Sequence, residues 1–387
     1  NYKSPCKLAL ANRIIAESTV VLKNDGGVLP LKKSDNIALI GSQACAKDPI
    51  AQGAGSGWNG FACNKVPKIN VRDGIAGLDG GPALPCPTAG GDSASAAQAD
   101  VVLAVVSAAK ASEGSDRSTL QLDAGDAALI RKYAALGKKV VVATNAPGPM
   151  ITSTWDANVA AIAVSWLPGQ QNGRGIAMAL FNEEYEASGR LTVTFPRCST
   201  EACTQADERS SVALGDQIDN HAYLKYTDKA LIGYRWYQAN NIPVSYPFGF
   251  GLFAYGSAQV SYSNAANAPS GGGVKVTCTL SHSGPRAGLD VPQLYLKFPP
   301  SVATPGWVQP KWVLKGFDKV MLNPSEPKVV TFALTARDLS YWDDGPGRSL
   351  WVCAPGQFTA CVGANSRDAE QQACTMFSAP CAGQAGA

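Results

Sequence analysis

Two kinds of hydrophobic pattern divide this chain. Over the first half, short apolar runs alternate with stretches in which apolar side chains recur every three or four positions, which predicts strands alternating with helices. The clearest run covers 101–106, where six apolar residues predict a strand buried on both faces, as in a parallel sheet. From Gln259 onwards, apolar and polar residues alternate, which predicts an all-β domain.

The first half predicts a mostly parallel sheet with helices on both faces. The predicted strands are 36–40, 101–106, 139–144, 160–166 and 191–195, and the predicted helices are 8–22, 124–136 and 174–181. Asp123 is the expected N-cap of the second helix. Because the carboxyl ends of parallel strands meet at one edge, we expect the loops 112–117, 145–149 and 167–170 to cluster there.

The second half predicts a β-sandwich of immunoglobulin or fibronectin type. Its seven expected strands are 260–263, 273–281, 291–296, 312–317, 328–334, 350–353 and 358–362. We therefore expect an α/β domain over 1–196, an irregular interdomain segment with an aromatic cluster over 197–255, and an all-β domain over 256–380. The small and polar residues after 379 predict a frayed tail.

The composition of the chain indicates which kinds of partner and which cellular compartment to expect. The net charge of +3 is small and its cations are scattered, and no apolar run reaches membrane-spanning length, so we expect neither nucleic acid nor membrane as a partner. Eleven cysteines favour a secreted, vacuolar or periplasmic setting with disulfides, although buried free thiols are an alternative. The pairs close in sequence are Cys45 with Cys63, Cys198 with Cys203, Cys353 with Cys361, and Cys374 with Cys381.

The polar string SEGSDR at 112–117 follows the strand predicted over 101–106 and is the leading candidate for chemistry. Glu113 suits a general acid, because a carboxyl group in a partly enclosed cleft can hold its proton near neutral pH. The alternative is that Glu113 and Asp116 only bond Arg117 and the local backbone. With only His221 and His282 present, a histidine-based triad or metal site is not expected.

Motifs across nearly the whole chain resemble glycoside hydrolase family 3. The resemblance is carried by SEGSDRSTLQL at 112–122, together with AESTVVLKN at 16–24, the glycine-rich loop 53–57, WLPGQ at 166–170, SGRLTVTFP at 188–196 and GYRWY at 233–237. Segments 291–296, 314–317 and 338–340 resemble the family's fibronectin-like domain. The family likeness implies an α/β sandwich domain followed by a fibronectin III-like β-sandwich.

The resemblance implies a retaining, exo-acting β-glycosidase of β-glucosidase type that needs no metal or organic cofactor. Glu113 matches the family's acid/base glutamate, with Ser112 in place of the usual glycine. The implied substrate is a β-linked oligosaccharide or glucoside. The residues that would support the loop or contact the substrate are Asp116, Arg117, Gly55, Ser56 and Trp58.

In that family the nucleophilic aspartate belongs to an N-terminal (β/α)8 barrel, a fold of about 250 residues. The resemblance starts within the first 20 residues, so we expect no nucleophile in these 387 residues. One expectation is that a separate barrel chain from the same precursor completes the enzyme. The alternative is a non-catalytic carbohydrate-binding or structural protein of the same fold.

Overall fold

The computed structural model describes residues 4–51, 68–108, 117, 119–198, 229–300, 302, 309–343, 345, 347–367, 372–380 and, for the backbone alone, 385–386. The chain divides into two compact units. The first contains the described residues up to Leu191, with 195–198 and 251–257, and the second contains 192–194, 229–250 and the described residues from Ala258 onwards. Glu113, Asp116, Gly55, Ser56 and Trp58 lie outside the described residues.

The first unit is built on a five-stranded sheet. Its strands are β1 (Val20–Asn24), β2 (Ile37–Ile40), β3 (Val101–Ser107), β4 (Lys139–Asn145) and β5 (Ala161–Ser165), in the spatial order β1-β5-β4-β3-β2. Strands β2 to β5 are parallel and β1 is antiparallel to β5, so the predicted mostly parallel sheet is confirmed. Its helices are α1 (Pro5–Ser18), α2 (Val71–Ala76), α3 (Ala124–Ala135) and α4 (Asn172–Phe181).

Both faces of this sheet are covered. All seven residues of β3 are buried, and neighbouring side chains on a strand point to opposite faces. Leu103 and Val105 share a core with Ile15 of α1 and Ile176 of α4, while α3 packs on β3 and β4. Asp123 caps α3 as predicted, since its carboxylate accepts bonds from the backbone N–H groups of Gly125 and Asp126.

Two predicted elements of this unit are wrong. The helix predicted over 8–22 ends at Ser18, because Thr19 is extended and the β-branched pair after it pairs with β5 as β1. The strand predicted over 191–195 is reduced to β6 (Phe195–Pro196). The two sides of β5 are taken by β1 and β4, which leaves no place beside it for another strand.

The second unit is a β-sandwich, as predicted. One sheet has the order β12-β11-β17-β18 and the other β14-β9-β8. These strands are β8 (Ser261–Ser270), β9 (Gly273–Ser281), β11 (Gln293–Lys297), β12 (Val313–Phe317), β14 (Lys328–Leu334), β17 (Gln357–Gly363) and β18 (Ala373–Ser378). Along β14, Val330, Phe332 and Leu334 are buried and alternate with exposed residues, as expected for one covered face.

Several short elements complete this unit, and the pattern predicts only one of them, β16 (Leu350–Cys353). The elements that it does not predict are α5 (Tyr234–Ala239), β7 (Val244–Tyr246), β10 (Gly288–Asp290), β13 (Val320–Leu322), β15 (Ser340–Asp343) and β19 (Ala385–Gly386). The segment 197–245 is therefore not wholly irregular. The tail is not frayed throughout, because β19 pairs with β16.

The aromatic cluster of the second unit packs as core. Tyr234 of α5 stacks on Phe248 with ring centroids 5.0 Å apart and meets Tyr295 edge-on at 6.0 Å. The Tyr234 hydroxyl accepts a 2.8 Å bond from the Leu314 backbone N–H. Burial raises the pKa of Tyr295. These contacts cover the outer face of β11, so nearly every residue of that strand is buried.

The cysteine pairing differs from the predicted neighbours. Cys45 is bonded to Cys86 rather than Cys63, and Cys361 is bonded to Cys374, so neither the Cys353–Cys361 nor the Cys374–Cys381 pair forms. Cys361 and Cys374 lie directly opposite each other on β17 and β18, which explains the choice. Cys198 is in a disulfide bond, and Cys353 is in another. Among the described residues, Cys6 and Cys278 are free thiols.

Candidate active site

Three buried polar residues end neighbouring strands of the parallel sheet. In the sheet register, Ser107 of β3 lies beside Asn145 of β4, and Asn145 lies beside Ser165 of β5. All three are buried. This alignment places the starts of three loops at one edge, as the sequence pattern predicts.

Asn145 is the centre of this edge. Its side-chain N–H group donates to the Ser165 carbonyl at 3.1 Å, the Trp166 carbonyl at 3.3 Å and the Asn172 side-chain oxygen at 3.0 Å. Because buried carbonyls need donors, this amide fixes the loop after β5 to the start of α4. The loop that begins at Asn145 is predicted from the sequence, but this role of Asn145 is not, because its only signal is a polar residue at the end of a buried strand.

The described residues on either side of the segment that carries Glu113 bond to the end of β4 and to the loop after it. Ala108 donates its backbone N–H to the Asn145 carbonyl at 3.0 Å and pairs with Leu122 as an isolated bridge. Beyond the loop, the Arg117 guanidinium donates to the Pro149 carbonyl at 2.9 Å. The segment that contains Glu113 therefore starts and ends at the carboxyl edge of the sheet.

The two ends of the glycine-rich segment meet the loop after β5. The Ala51 carbonyl accepts a 2.7 Å bond from the Gly169 N–H, and the Ile69 N–H donates a 3.0 Å bond to the Gln170 carbonyl. Lys68 and Asp48 form an ion pair next to these ends. The segment that holds Gly55, Ser56 and Trp58 therefore leaves and rejoins the same edge from which the Glu113 loop leaves.

A buried carboxyl group links β2 to α3 at this edge. Asp126 is 4% exposed and accepts bonds from the Ser42 backbone N–H at 2.9 Å and the Ser42 hydroxyl at 2.7 Å. Burial raises the pKa of Asp126, while the two bonds from Ser42 act in the opposite direction. The sequence pattern does not predict this pair, because an acidic residue in the first turn of a helix is common without any buried partner.

The described residues at the carboxyl edge of the sheet hold the neighbouring loops in place. Of the predicted site residues, the structure describes Arg117 alone, and its guanidinium donates to the Pro149 carbonyl. Within the described residues, no group of three or more His, Cys, Asp and Glu side chains is arranged to hold a metal ion. In the same residues, no helix combines the length and the apolar character needed to cross a bilayer.

Comparison with known families matches both parts of the chain. The family model of the glycosyl hydrolase family 3 C-terminal domain matches residues 19–254, more than half of the chain. The chain belongs to glycosyl hydrolase family 3. A fibronectin type III-like domain matches residues 290–366, within the β-sandwich.

Curated relatives match along nearly the whole chain. A probable beta-glucosidase L of Emericella nidulans is 32% identical over 95% of this chain and 53% of its own length. A thermostable beta-glucosidase B of Acetivibrio thermocellus is 30% identical over 95% of this chain and 48% of its own length. The chain thus spans about half the length of the curated relatives it matches.

Solved structures give the same coverage. The beta-glucosidase of Bifidobacterium adolescentis superposes with a TM-score of 0.80 and 27% identity, covering 98% of this chain and 54% of the other. Beta-glucosidase 3B of Thermotoga neapolitana, solved with glycerol, gives a TM-score of 0.79 and 27% identity over 96% of this chain and 53% of its own. The two-domain fold of this family 3 member is therefore shared with larger proteins.

Proposed function

We propose that this chain is the C-terminal portion of a retaining, exo-acting β-glycosidase of β-glucosidase type, which hydrolyses terminal β-linked sugars. The observation that carries the proposal is the attachment of both ends of the Glu113 loop to the carboxyl edge of the sheet, through Ala108 and Arg117. The relatives described above are beta-glucosidases, which supports the same reaction. A (β/α)8 barrel outside this chain would supply the nucleophile.

Glu113 has two roles in this proposal. As an acid it protonates the leaving oxygen while a carboxylate of the barrel, about 5 Å away, attacks the sugar. As a base it then deprotonates the water that releases the sugar, which returns Glu113 to its acid form. Asp116 and Arg117 hold the loop, and Gly55, Ser56 and Trp58 line the cleft for the β-linked oligosaccharide or glucoside.

The proposal includes the setting of the protein. The barrel would be a partner chain from the same precursor, and the protein would be secreted, vacuolar or periplasmic. The Cys45–Cys86 and Cys361–Cys374 disulfides support an oxidising compartment. The proposed reaction uses two carboxylates and water and requires no cofactor.

The test is Glu113→Gln in the native assembly, assayed with two β-glucosides of different leaving group. Since the acid assists departure, we expect kcat/KM to fall by about 10²–10⁴-fold for an alkyl glucoside and much less for a nitrophenyl glucoside. Added azide should restore turnover of the nitrophenyl glucoside and give the β-glycosyl azide, because a small anion attacks the glycosyl-enzyme without a base.

Glu184→Gln is the matched control, because Glu184 is an exposed glutamate of the same unit. It should leave both rates unchanged. Unchanged activity of the Glu113→Gln assembly would overturn the acid/base role. Native mass spectrometry with and without reductant tests the partner separately, by looking for a second chain of about 250 residues, the size of a barrel. A lone, inactive chain would favour the non-catalytic alternative.

A further inference from the structure

The second unit contains a lysine whose charge is only partly neutralised. The Lys315 side chain, on β12, is 18% exposed, and its ammonium lies 3.7 Å from the Asp338 carboxylate. The other Asp338 oxygen accepts bonds from the backbone N–H and the hydroxyl of Thr335, at 2.9 and 2.7 Å. Asp338 is therefore shared between Lys315 and the turn that holds it.

Two arginines add further positive charge beside Lys315. The Arg337 guanidinium lies 3.2 Å from the centroid of the Trp351 ring, and the Arg235 guanidinium lies 5.8 Å from that of Tyr234. Tyr234 is held to Leu314, the neighbour of Lys315, by its 2.8 Å hydrogen bond. Burial lowers the pKa of Lys315, and repulsion from Arg337 and Arg235 lowers it further, against the attraction of Asp338.

This group of cations is not balanced by the described acidic residue. Among the described residues, Lys315 is the only one of these three cations paired with a carboxylate, that of Asp338. The Nε atom of Arg235 is buried and has no hydrogen-bond partner among the described residues. Buried donors are normally satisfied, so an anion at this position would supply what the protein itself does not.

An exposed aromatic ring contacts the Trp351 ring over which Arg337 lies. Trp342 lies directly opposite Trp351 in the β15–β16 hairpin, with ring centroids 5.4 Å apart, and is 45% exposed. The neighbouring carboxylate of Asp343 is already paired with Arg348 at 2.9 Å. An exposed indole offers a flat apolar surface to a ring, and the guanidinium of Arg337 offers a fork of donors to a carboxylate.

We propose that Lys315, Arg337 and Arg235 bind the carboxylate of an acidic sugar, such as a uronic acid, whose ring stacks on Trp342. A guanidinium matches a carboxylate with two parallel hydrogen bonds, and the ammonium adds a third donor. A neutral sugar would leave the excess charge unbalanced, and a small anion would leave the ring uncovered. The acidic sugar is the ligand class that satisfies both parts of the site.

The test is calorimetric titration of the whole chain with D-glucuronate, with D-glucose, acetate and inorganic phosphate as comparison probes. We expect glucuronate to bind more tightly than the other three, and added salt to weaken it because the contacts are ionic. Arg337→Gln removes an exposed side chain and should weaken binding about tenfold or more. Trp342→Ala should also weaken it.

Lys275→Met is the matched control, since Lys275 is an exposed lysine of β9 in the same unit, and it should bind glucuronate as the unchanged protein does. Lys315→Met gives a second variant, with its thermal melting checked. Equal binding of glucuronate and glucose, equal binding of glucuronate and phosphate or acetate, or unchanged binding in Arg337→Gln would each overturn the proposal. The readout is binding, so it is separate from the test of Glu113.

Discussion

The side-chain nitrogen of Asn145 lies 3.0 Å from the side-chain oxygen of Asn172. This bond connects the end of the central strand β4 to the first residue of α4, and both residues are buried. The same Asn145 amide also bonds the carbonyls of Ser165 and Trp166, so one side chain fixes the geometry from which the loop after β5 leaves. The segment that carries Gly55, Ser56 and Trp58 is attached to that loop.

Asn145→Asp replaces this donor with a carboxylate that faces three oxygen acceptors. We expect the free energy of unfolding to fall by about 3 kcal/mol or more, because a buried charge would lack partners and the acceptors would lose their donor. Urea unfolding checks this. Asn158→Asp, at an exposed asparagine of the same unit, should change stability by about 0.5 kcal/mol or less. Similar losses in both variants would contradict the role of Asn145.

The free energy of unfolding should depend on pH through Asp126. Burial raises its pKa above the ordinary 3.8, so the folded protein holds a proton that the unfolded chain has lost. Stability from this group is therefore greatest at low pH and decreases as the pH rises through the folded pKa. Asp126→Asn removes this titration. The unfolding free energy of the unchanged protein minus that of the variant should decrease from about pH 3 to about pH 7. A difference that grows with pH would refute the raised pKa.

A side chain at Gly173 should disturb the packing at the start of α4. A Cβ atom at this position would lie 1.8 Å from the Asn70 carbonyl oxygen, which is backbone and cannot rotate away. Gly173→Ala should lower the free energy of unfolding by about 1–3 kcal/mol or more. Gly90→Ala, where a Cβ would meet no atom within 4 Å, should be near neutral. The melting temperatures of the two variants test this prediction. Equal melting temperatures would contradict it, because they would show that α2 and α4 move apart at little cost.

The Cys361–Cys374 disulfide should stabilise the β-sandwich. The bond closes a loop with a sequence separation of 13, and loops of this size contribute about 3 kcal/mol by restricting the unfolded chain. Replacing both cysteines by alanine should lower the unfolding free energy of the second unit by about that amount. Cys6→Ala, at an exposed free thiol, is the control and should have no effect. An unchanged transition in the double variant would contradict the prediction.

The sequence by itself determines the elements whose side-chain pattern is set locally. The buried run at β3, the Asp123 cap of α3 and the alternation along β9 and β14 give the predicted structures, because burial and capping act within a few residues. The parallel sheet and the β-sandwich follow from the order of these elements. The predicted clustering of loops at one sheet edge follows as well, since parallel strands share their direction.

Only the tertiary structure decides the outcomes that depend on distant partners. Helix α1 stops at Ser18 because the next residues pair with β5, about 140 positions away, and Cys45 reaches Cys86 rather than its nearer neighbour Cys63. The bonds of Asn145 and the Ser42–Asp126 pair likewise join separate segments. Local patterns report which side chains avoid water, whereas the partner of each buried polar group is set by which segments the folded chain brings together.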